Sequence, residues 1–198
     1  MELVDYLYYR EKVEKFDPVS FRNAGLKTPP TEPEDFALRA AYVIVNSGMR
    51  WSVAKRIWDR VRLALIETGK VGDSFRNVKK AHAIDEIMKQ RSALFQHFEI
   101  AWNSGPEAVI AFCETLPYIG VVTKYHLAKN LGVDCAKPDV WLSRVAVLSN
   151  ENPHELCARL SRISKDKIAV VDYVIWRSCQ QGWWSFQHSV YDLHQQRK

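Results

Sequence analysis

The chain has 198 residues, of which 47% are apolar and 26% charged, and this composition excludes a fully disordered or collagen-like protein. The length favours one domain, or two small lobes that share a core. The 28 basic and 23 acidic side chains give a net charge of +5, which fits a polyanionic partner without identifying one. No apolar run reaches the roughly 20 residues of a membrane helix, and residues 1–12 lack the basic-then-apolar order of a secretory signal. We therefore expect a cytoplasmic protein that does not bind membranes.

The cysteines and histidines do not have the spacing of metal ligands. Zinc and iron–sulfur sites usually contain a close pair such as C-x₂-C. The four cysteines are instead widely separated, at Cys113, Cys135, Cys157 and Cys179. The sequence therefore predicts no metal, no cofactor and no disulfide framework, and we assign the cysteines to packing.

Helical periodicity dominates the chain, and no stretch alternates as a strand does. An acidic first turn at 32–35 favours a helix start there, whereas residues 18–34, rich in Pro, Thr and Asn, predict a long loop. We predict an all-α fold of roughly ten short helices. Residues 183–198 would add a last helix or form a frayed tail. Apolar residues recur at steps of three and four in the segments 36–44, 53–65, 84–98, 109–116, 141–148 and 168–175.

Residues 107–148 carry the most information about function. They predict a helix, a tight turn, a second helix over 121–131, a short loop and a third helix. Pro117 ends the first helix, and Gly120 allows the backbone to turn directly into the second. The start of the second helix would present unpaired N–H groups and the positive end of the helix dipole, which suits a phosphate. Thr123 and Lys124 would add a hydroxyl and a charge.

Asp139 follows a proline and precedes an apolar helix, which is the position of an N-cap. The second helix runs about 16 Å outward, and the loop from Gly132 can span up to about 23 Å on its return. Asp139 can therefore lie beside the start of the second helix, near any phosphate bound there. Because an anion fixed beside bound phosphates is electrostatically costly, this position favours a chemical role.

The pattern L-P-x-I-G, an amphipathic helix, a Gly/Pro-containing loop and P-D-x-x-x-x-R-V resembles the helix-hairpin-helix base-excision DNA glycosylases with a Gly/Pro-Asp loop. The resemblance is strong from Leu116 to Val145. A hairpin alone also occurs in non-catalytic DNA-binding proteins, but a hairpin with an aspartate at this spacing is specific. The resemblance implies one glycosylase domain over 1–198, with two lobes and a cleft between them. Its hairpin would span 107–131 and its catalytic loop and helix 132–148, while the N-terminal segment and residues 150–198 would share one lobe.

The resemblance also implies residue roles. Asp139 corresponds to the catalytic aspartate, and the backbone of 119–123 to the phosphate clamp. Bifunctional members place a lysine nucleophile where this chain has Val122, and Lys124 lies about 200° further round the helix. The chain therefore resembles the monofunctional branch, with water as nucleophile and no iron–sulfur cluster. Tyr118 replaces the usual first glycine of the hairpin. The residues expected to contact DNA are Pro117, Tyr118, Ile119, Gly120, Val122, Thr123 and Lys124.

Two further groups of residues are candidates for contacts with an extruded base. Met49 and Arg50 follow a buried helix, where relatives insert a side chain into the gap that the base leaves. Tyr8, Tyr9, Trp51 and Asp172 are candidates for the base pocket. For Asp172, which interrupts an apolar helix, we favour a structural hydrogen bond over a second catalytic role.

The sequence thus predicts a monomeric, nucleoid-associated DNA N-glycosylase that removes a damaged or modified base from duplex DNA. Two alternatives stay open: a non-catalytic hairpin module that only binds DNA, and a bifunctional glycosylase and lyase that uses Lys124. The sequence leaves the excised base undetermined. Alkylated purines, deaminated or mismatched pyrimidines, oxidised guanine and hypermodified bases of foreign DNA are all compatible with it.

Overall fold

The computed structural model describes residues 1–184, which form ten α-helices and one 3-10 turn at Gly72–Ser74 but no strand. This confirms the predicted all-α fold and its number of helices. Beyond Trp184, the predicted last helix or tail lies outside the described residues. No helix in the described range is long and apolar enough to span a membrane. The helices are α1 (Leu3–Phe16), α2 (Pro18–Gly25), α3 (Pro33–Asn46), α4 (Trp51–Thr68), α5 (Val78–Ser104), α6 (Pro106–Glu114), α7 (Thr123–Asn130), α8 (Val140–Leu148), α9 (Pro153–Ser164) and α10 (Ile168–Gln180).

The predicted loop over residues 18–34 is wrong in its first half, because α2 occupies Pro18–Gly25. Pro18 is the first residue of that helix, where the missing N–H of proline costs nothing. Asp17 caps the helix by accepting a hydrogen bond from the N–H of Ser20 at 3.2 Å. Pro18 and Pro33 therefore begin helices, whereas Pro29 and Pro30 lie in the non-helical stretch between α2 and α3. The predicted helix start after the loop is confirmed at Pro33.

The chain divides into two compact units, and residues 28–133 form the first, here called the central unit. Within it α3 packs against α4, α5 and α7, and α6 packs against α5 and α7. The periodic apolar residues of α3 are fully buried, as predicted. The ring of Phe36 lies 5.6 Å from that of Phe98. In α4 the predicted apolar face is only partly buried, since Val61 is inside but Val53 is 39% exposed.

The second unit, here called the terminal unit, joins residues 1–27 to the described chain from Asp134 onward. Its centre is α10, which packs against α1, α2, α8 and α9. Asp17 accepts a hydrogen bond from the hydroxyl of Tyr173 at 2.8 Å and pairs with Arg177. Burial, together with that hydrogen bond, raises the pKa of Tyr173 to about 12. The N-terminal and C-terminal parts of the chain are thus connected through polar groups as well as apolar contacts.

Gly132, at the end of the segment that follows α7, is the glycine least able to accept a side chain. Its φ is +101°, and an added Cβ would lie 2.8 Å from the N atom of Pro29 and 2.9 Å from the carbonyl carbon of Thr28. Both neighbours are backbone atoms and cannot rotate away. We expect Gly132→Ala to lower the free energy of unfolding by about 2–4 kcal/mol, measured by urea unfolding. Gly120→Ala is the control, because a Cβ there meets nothing within 4 Å. Equal stability of the two variants would contradict this prediction.

Candidate functional site

The turn that joins α6 to α7 is held from inside by two apolar side chains. Leu116 and Ile119 are 3% and 7% exposed, and the N–H of Ile119 donates to the carbonyl of Leu116 at 3.1 Å. Between them, Tyr118 adopts a left-handed backbone with φ +64°. L-residues rarely adopt this conformation and glycine does so freely. Tyr118 is also the position at which the resemblance expects glycine, so the turn keeps a glycine-like backbone while presenting a half-exposed aromatic ring.

Gly120 does not provide the change of direction between α6 and α7 that the sequence analysis predicts. It was expected to allow the sharp change of direction, but its φ is not left-handed, and Tyr118 provides that conformation. A Cβ at Gly120 would meet no atom within 4 Å, so nothing within the described chain requires glycine here. Because Gly120 has no side chain and its surroundings are open, another molecule can approach the backbone closely at this position.

The hydrogen bonds of the turn determine which donors remain for a phosphate. The N–H of Gly120 donates to Oγ1 of Thr123 at 2.7 Å, and this hydroxyl lies 3.2 Å from the carbonyl of Gly120, to which it donates. The N–H groups of Ile119 and Gly120 and the Thr123 hydroxyl thus have partners inside the turn, and the clamp over 119–123 stays a prediction. Within residues 1–184, the N–H groups of 121–123 donate to no acceptor. These three amides are the donors that the turn can offer to an anion.

Lys124 is held in an ion pair. Its ammonium lies 2.6 Å from the carboxylate of Glu114, and that hydrogen bond and charge raise the pKa of Lys124. A raised pKa reduces the fraction of neutral amine, which is the form that attacks a sugar. Val122, at the position where the resemblance would place the lysine of a bifunctional enzyme, carries no amine. Neither residue supplies a neutral nucleophile to the hairpin.

Asp139 is the N-cap of α8, as predicted. Its Oδ1 accepts hydrogen bonds from the N–H groups of Trp141 and Leu142 at 3.0 and 3.1 Å. Its Oδ2 lies 3.9 Å from Nζ of Lys137 and accepts no hydrogen bond within the described residues. The side chain is 15% exposed. One oxygen thus fixes the orientation of the carboxylate, and the other faces the Lys137 ammonium.

The loop that carries Asp139 is attached to α10 by two other carboxylates. Asp134 Oδ1 accepts a hydrogen bond from the N–H of Ala169 at 2.9 Å, and Asp172 Oδ2 accepts one from the N–H of Lys137 at 3.2 Å. Asp172 is only 2% exposed, and its hydrogen bond to this loop is of the structural kind that the sequence favours. Sequence reasoning missed Asp134. The N-cap residue of α10 is Lys167, whose side chain makes no capping hydrogen bond, and Asp134 supplies the capping oxygen instead.

Cysteine chemistry is not available beside Asp139. Burial and then the charge of Asp139 raise the pKa of the Cys179 thiol to about 12, so this thiol stays protonated near neutral pH. All four cysteines are buried. No cluster of His, Cys, Asp or Glu in residues 1–184 could hold a metal ion. The buried cysteines therefore act in packing.

The candidate wedge loop lies between α3 and α4 and is fixed by a residue that sequence reasoning missed. Lys80 is 2% exposed, and its ammonium donates to the carbonyls of Val45, at 3.1 Å, and Ser47. The same ammonium lies 5.7 Å from the ring centroid of Tyr118. Lys80 therefore connects the start of the loop that contains Met49 with the hairpin turn. One buried lysine within a Lys-Lys pair gives no recognisable signal in a single sequence.

The buried charge of Lys80 predicts a pH dependence of stability. Burial lowers the pKa of Lys80 below 10.5, so the unfolded chain binds more protons than the folded protein between the folded-state pKa and 10.5. Stability should therefore rise with pH across this window. In urea unfolding, the free energy of unfolding of the wild type should increase relative to that of Lys80→Met as the pH rises towards 10.5. The exposed Lys79→Met is the control and should follow the wild type. Parallel curves for wild type and Lys80→Met would contradict the prediction.

The candidate pocket aromatics differ in exposure and in partners. Tyr8 is 59% exposed and contacts the edge of Tyr9 at 5.1 Å between centroids. Tyr9 donates its hydroxyl to the carbonyl of Trp183 at 3.1 Å. Trp51, in the central unit, is 37% exposed and begins α4. Tyr8 and Trp51 are partly exposed, but the ammonium of Lys12 lies 5.9 Å from the Tyr8 ring centroid and that of Lys55 lies 5.6 Å from the Trp51 ring centroid, whereas Tyr9 is committed to internal contacts.

Comparison with known proteins finds no match. No protein family matches the sequence, and neither a curated protein nor a solved structure is significantly similar to the chain. The function is therefore inferred from the hairpin and from Asp139 alone.

Proposed function

We propose that the protein is a monofunctional DNA N-glycosylase that excises a modified base from duplex DNA. The observation that supports this most is Asp139, whose Oδ1 caps α8 while its Oδ2 accepts no hydrogen bond within the described residues. A second support is the hairpin, with its unpaired N–H groups at 121–123 and the open space above Gly120. Both features belong to the stretch that resembles the glycosylases.

The hairpin would bind the DNA backbone through its free amides. Backbone N–H groups at a helix start favour phosphate by hydrogen bonding and through the helix dipole. Extrusion of the base costs a few kcal/mol of stacking and pairing, least for a damaged or mismatched base. Met49 or Arg50 would fill the gap. In this proposal the hairpin binds DNA without reading its sequence, and the lesion is selected by how easily it leaves the stack.

Asp139 would then assist the cleavage of the bond between C1′ and the base. The electron pair of that bond leaves with the base, and the sugar gains oxocarbenium character. The Asp139 carboxylate stabilises this positive charge and accepts a proton from water, whose oxygen forms the new bond to C1′. The departing base acquires a proton, and the products are the free base and an abasic site. The step uses no metal, cofactor or redox partner.

One observation favours a second candidate function. Asp139 caps α8 in an ordinary way, so it could serve the fold alone in a hairpin module that only binds DNA. Such a module predicts salt-dependent binding and no product. The lyase alternative is weaker, because the Glu114 ion pair raises the pKa of Lys124. A lyase would be trapped covalently on DNA by borohydride, and we expect no such adduct.

A base-release screen tests the proposal. Duplexes carrying alkylated purines, deaminated or mismatched pyrimidines, oxidised guanine or hypermodified bases are incubated with the protein, and free base is measured by mass spectrometry. We expect release from at least one class, with strand breakage only after alkali. Binding of every duplex without release from any would support the binding module and contradict the glycosylase.

A further inference from the structure

The central unit contains an open groove of about 720 Å³ beside the candidate wedge loop. Met49, Ile57 and Phe75 provide its apolar surface, and Arg60 and Arg76 also line it. Arg60 belongs to α4, and Arg76 immediately precedes the N-cap of α5. Asp73 is the one carboxylate in its lining. The groove thus combines an apolar surface with two cations.

Within the described residues the two groove arginines, like the exposed Arg56 and Arg62, form no ion pair, whereas two other arginines of the central unit do. Arg39 pairs with Asp35 at 2.6 Å, and Arg91 pairs with Glu34 at 2.9 Å. Arg60 and Arg76 are exposed and form no ion pair within the described residues. Two unpaired guanidinium groups beside an apolar surface are complementary to a ligand with anionic groups and flat or apolar parts. Nucleotides have this chemistry.

The groove is next to the hairpin turn, and Lys80 connects them. The buried ammonium of Lys80 lies 5.9 Å from the ring centroid of Phe75, which lines the groove, and 5.7 Å from that of Tyr118, in the turn. Both contacts lie within the central unit. A DNA strand held by the amides that follow Tyr118 would therefore have the groove arginines close to its path.

We propose that this groove is a second backbone-binding site for the DNA that the hairpin holds, in which Arg60 and Arg76 each contact a phosphate and the apolar surface packs against sugar or base. The proposal rests on the DNA binding in the proposed function but not on its chemistry. The contacts would add affinity without sequence preference, because phosphates carry no sequence information.

Salt dependence of binding to an undamaged duplex tests the groove. Each phosphate contact contributes about 0.9 to the slope of log K against log salt. Arg60→Ala/Arg76→Ala should therefore lower the slope by about 1.8, so that the loss of affinity between about 50 and about 200 mM salt is about tenfold smaller than in the wild type. Arg60→Lys/Arg76→Lys should keep most of the slope, because a lysine can also contact phosphate.

Arg62→Ala/Lys89→Ala is the matched control, since it removes the same charge at exposed positions outside the groove. Arg62 lies on α4 about 200° round the helix from Arg60. We expect the control to keep the wild-type slope.

An unchanged slope in the groove variant, or an equal change in the control, would overturn the proposal. If the protein releases base but the groove variant keeps the wild-type salt slope, the proposed glycosylase activity is supported and the groove site is excluded. If the groove variant lowers the slope but no base is released, the groove site is supported and the glycosylase activity is excluded.

Discussion

Asp139→Asn is expected to abolish base release while leaving the affinity for duplex DNA equal or higher. Asparagine retains an oxygen that can accept the hydrogen bonds of the α8 cap, so the fold should persist. It lacks the negative charge that stabilises an oxocarbenium ion and the basicity that accepts a proton from water. We expect a loss of about 10²- to 10⁴-fold in the rate of base release. Single-turnover release on the substrate found by the screen gives the rate, and fluorescence anisotropy gives the affinity.

Asp59→Asn is the charge-matched control, because it removes an exposed carboxylate from α4 in the central unit. This variant should release base at the wild-type rate. The affinity of Asp139→Asn for duplex DNA should be equal to or higher than that of the wild type, because loss of a carboxylate close to phosphates removes a repulsion. Wild-type excision by Asp139→Asn would refute the catalytic role and return Asp139 to a simple helix cap.

Gly120→Ala is expected to lower the affinity for duplex DNA about tenfold, or about 1.4 kcal/mol, without loss of stability. The Cβ meets nothing within 4 Å in the folded chain, so the protein should unfold at the wild-type urea midpoint. In the complex the same methyl would occupy the space through which a phosphate approaches the free amides of 121–123. The variant therefore separates a role in binding from a role in folding.

Gly25→Ala provides the control for this methyl group. Gly25 is the other glycine of the chain without a left-handed φ, and it ends α2 in the terminal unit, where an added Cβ would meet Cγ2 of Val170 at 3.2 Å. Its affinity for DNA should equal that of the wild type. Unchanged affinity in Gly120→Ala would show that the open space above the turn does not receive DNA.

Local sequence signals predicted the features that depend on neighbouring residues. The start of α3 follows from Pro33 and the acidic residues beside it, and its buried face follows from the spacing of apolar residues. The cap on α8 follows from Asp139 and the apolar helix behind it. In each of these cases the deciding contacts join residues a few positions apart, so the pattern of the sequence contains them.

Features that depend on distant contacts could not be predicted. Lys80 reaches the carbonyl of Val45 across 35 positions, and Asp134 reaches the N–H of Ala169 across the same separation. Nothing next to either residue in the sequence indicates its partner. Pro18 is ambiguous for a different reason, because proline can either end or begin a helix. Here the Asp17 cap makes it the first residue of α2. Tyr118 shows a further limit, since its type does not indicate a left-handed backbone.

A charged sugar analogue shows whether the Asp139 carboxylate acts on the sugar of DNA bound by this protein. A duplex in which a positively charged pyrrolidine replaces one deoxyribose mimics the oxocarbenium ion, and an uncharged tetrahydrofuran at the same position is its control. The wild type should bind the charged duplex more tightly than the uncharged one by about 100-fold, and Asp139→Asn should lose this preference. An equal preference in the wild type and in Asp139→Asn would contradict the claim.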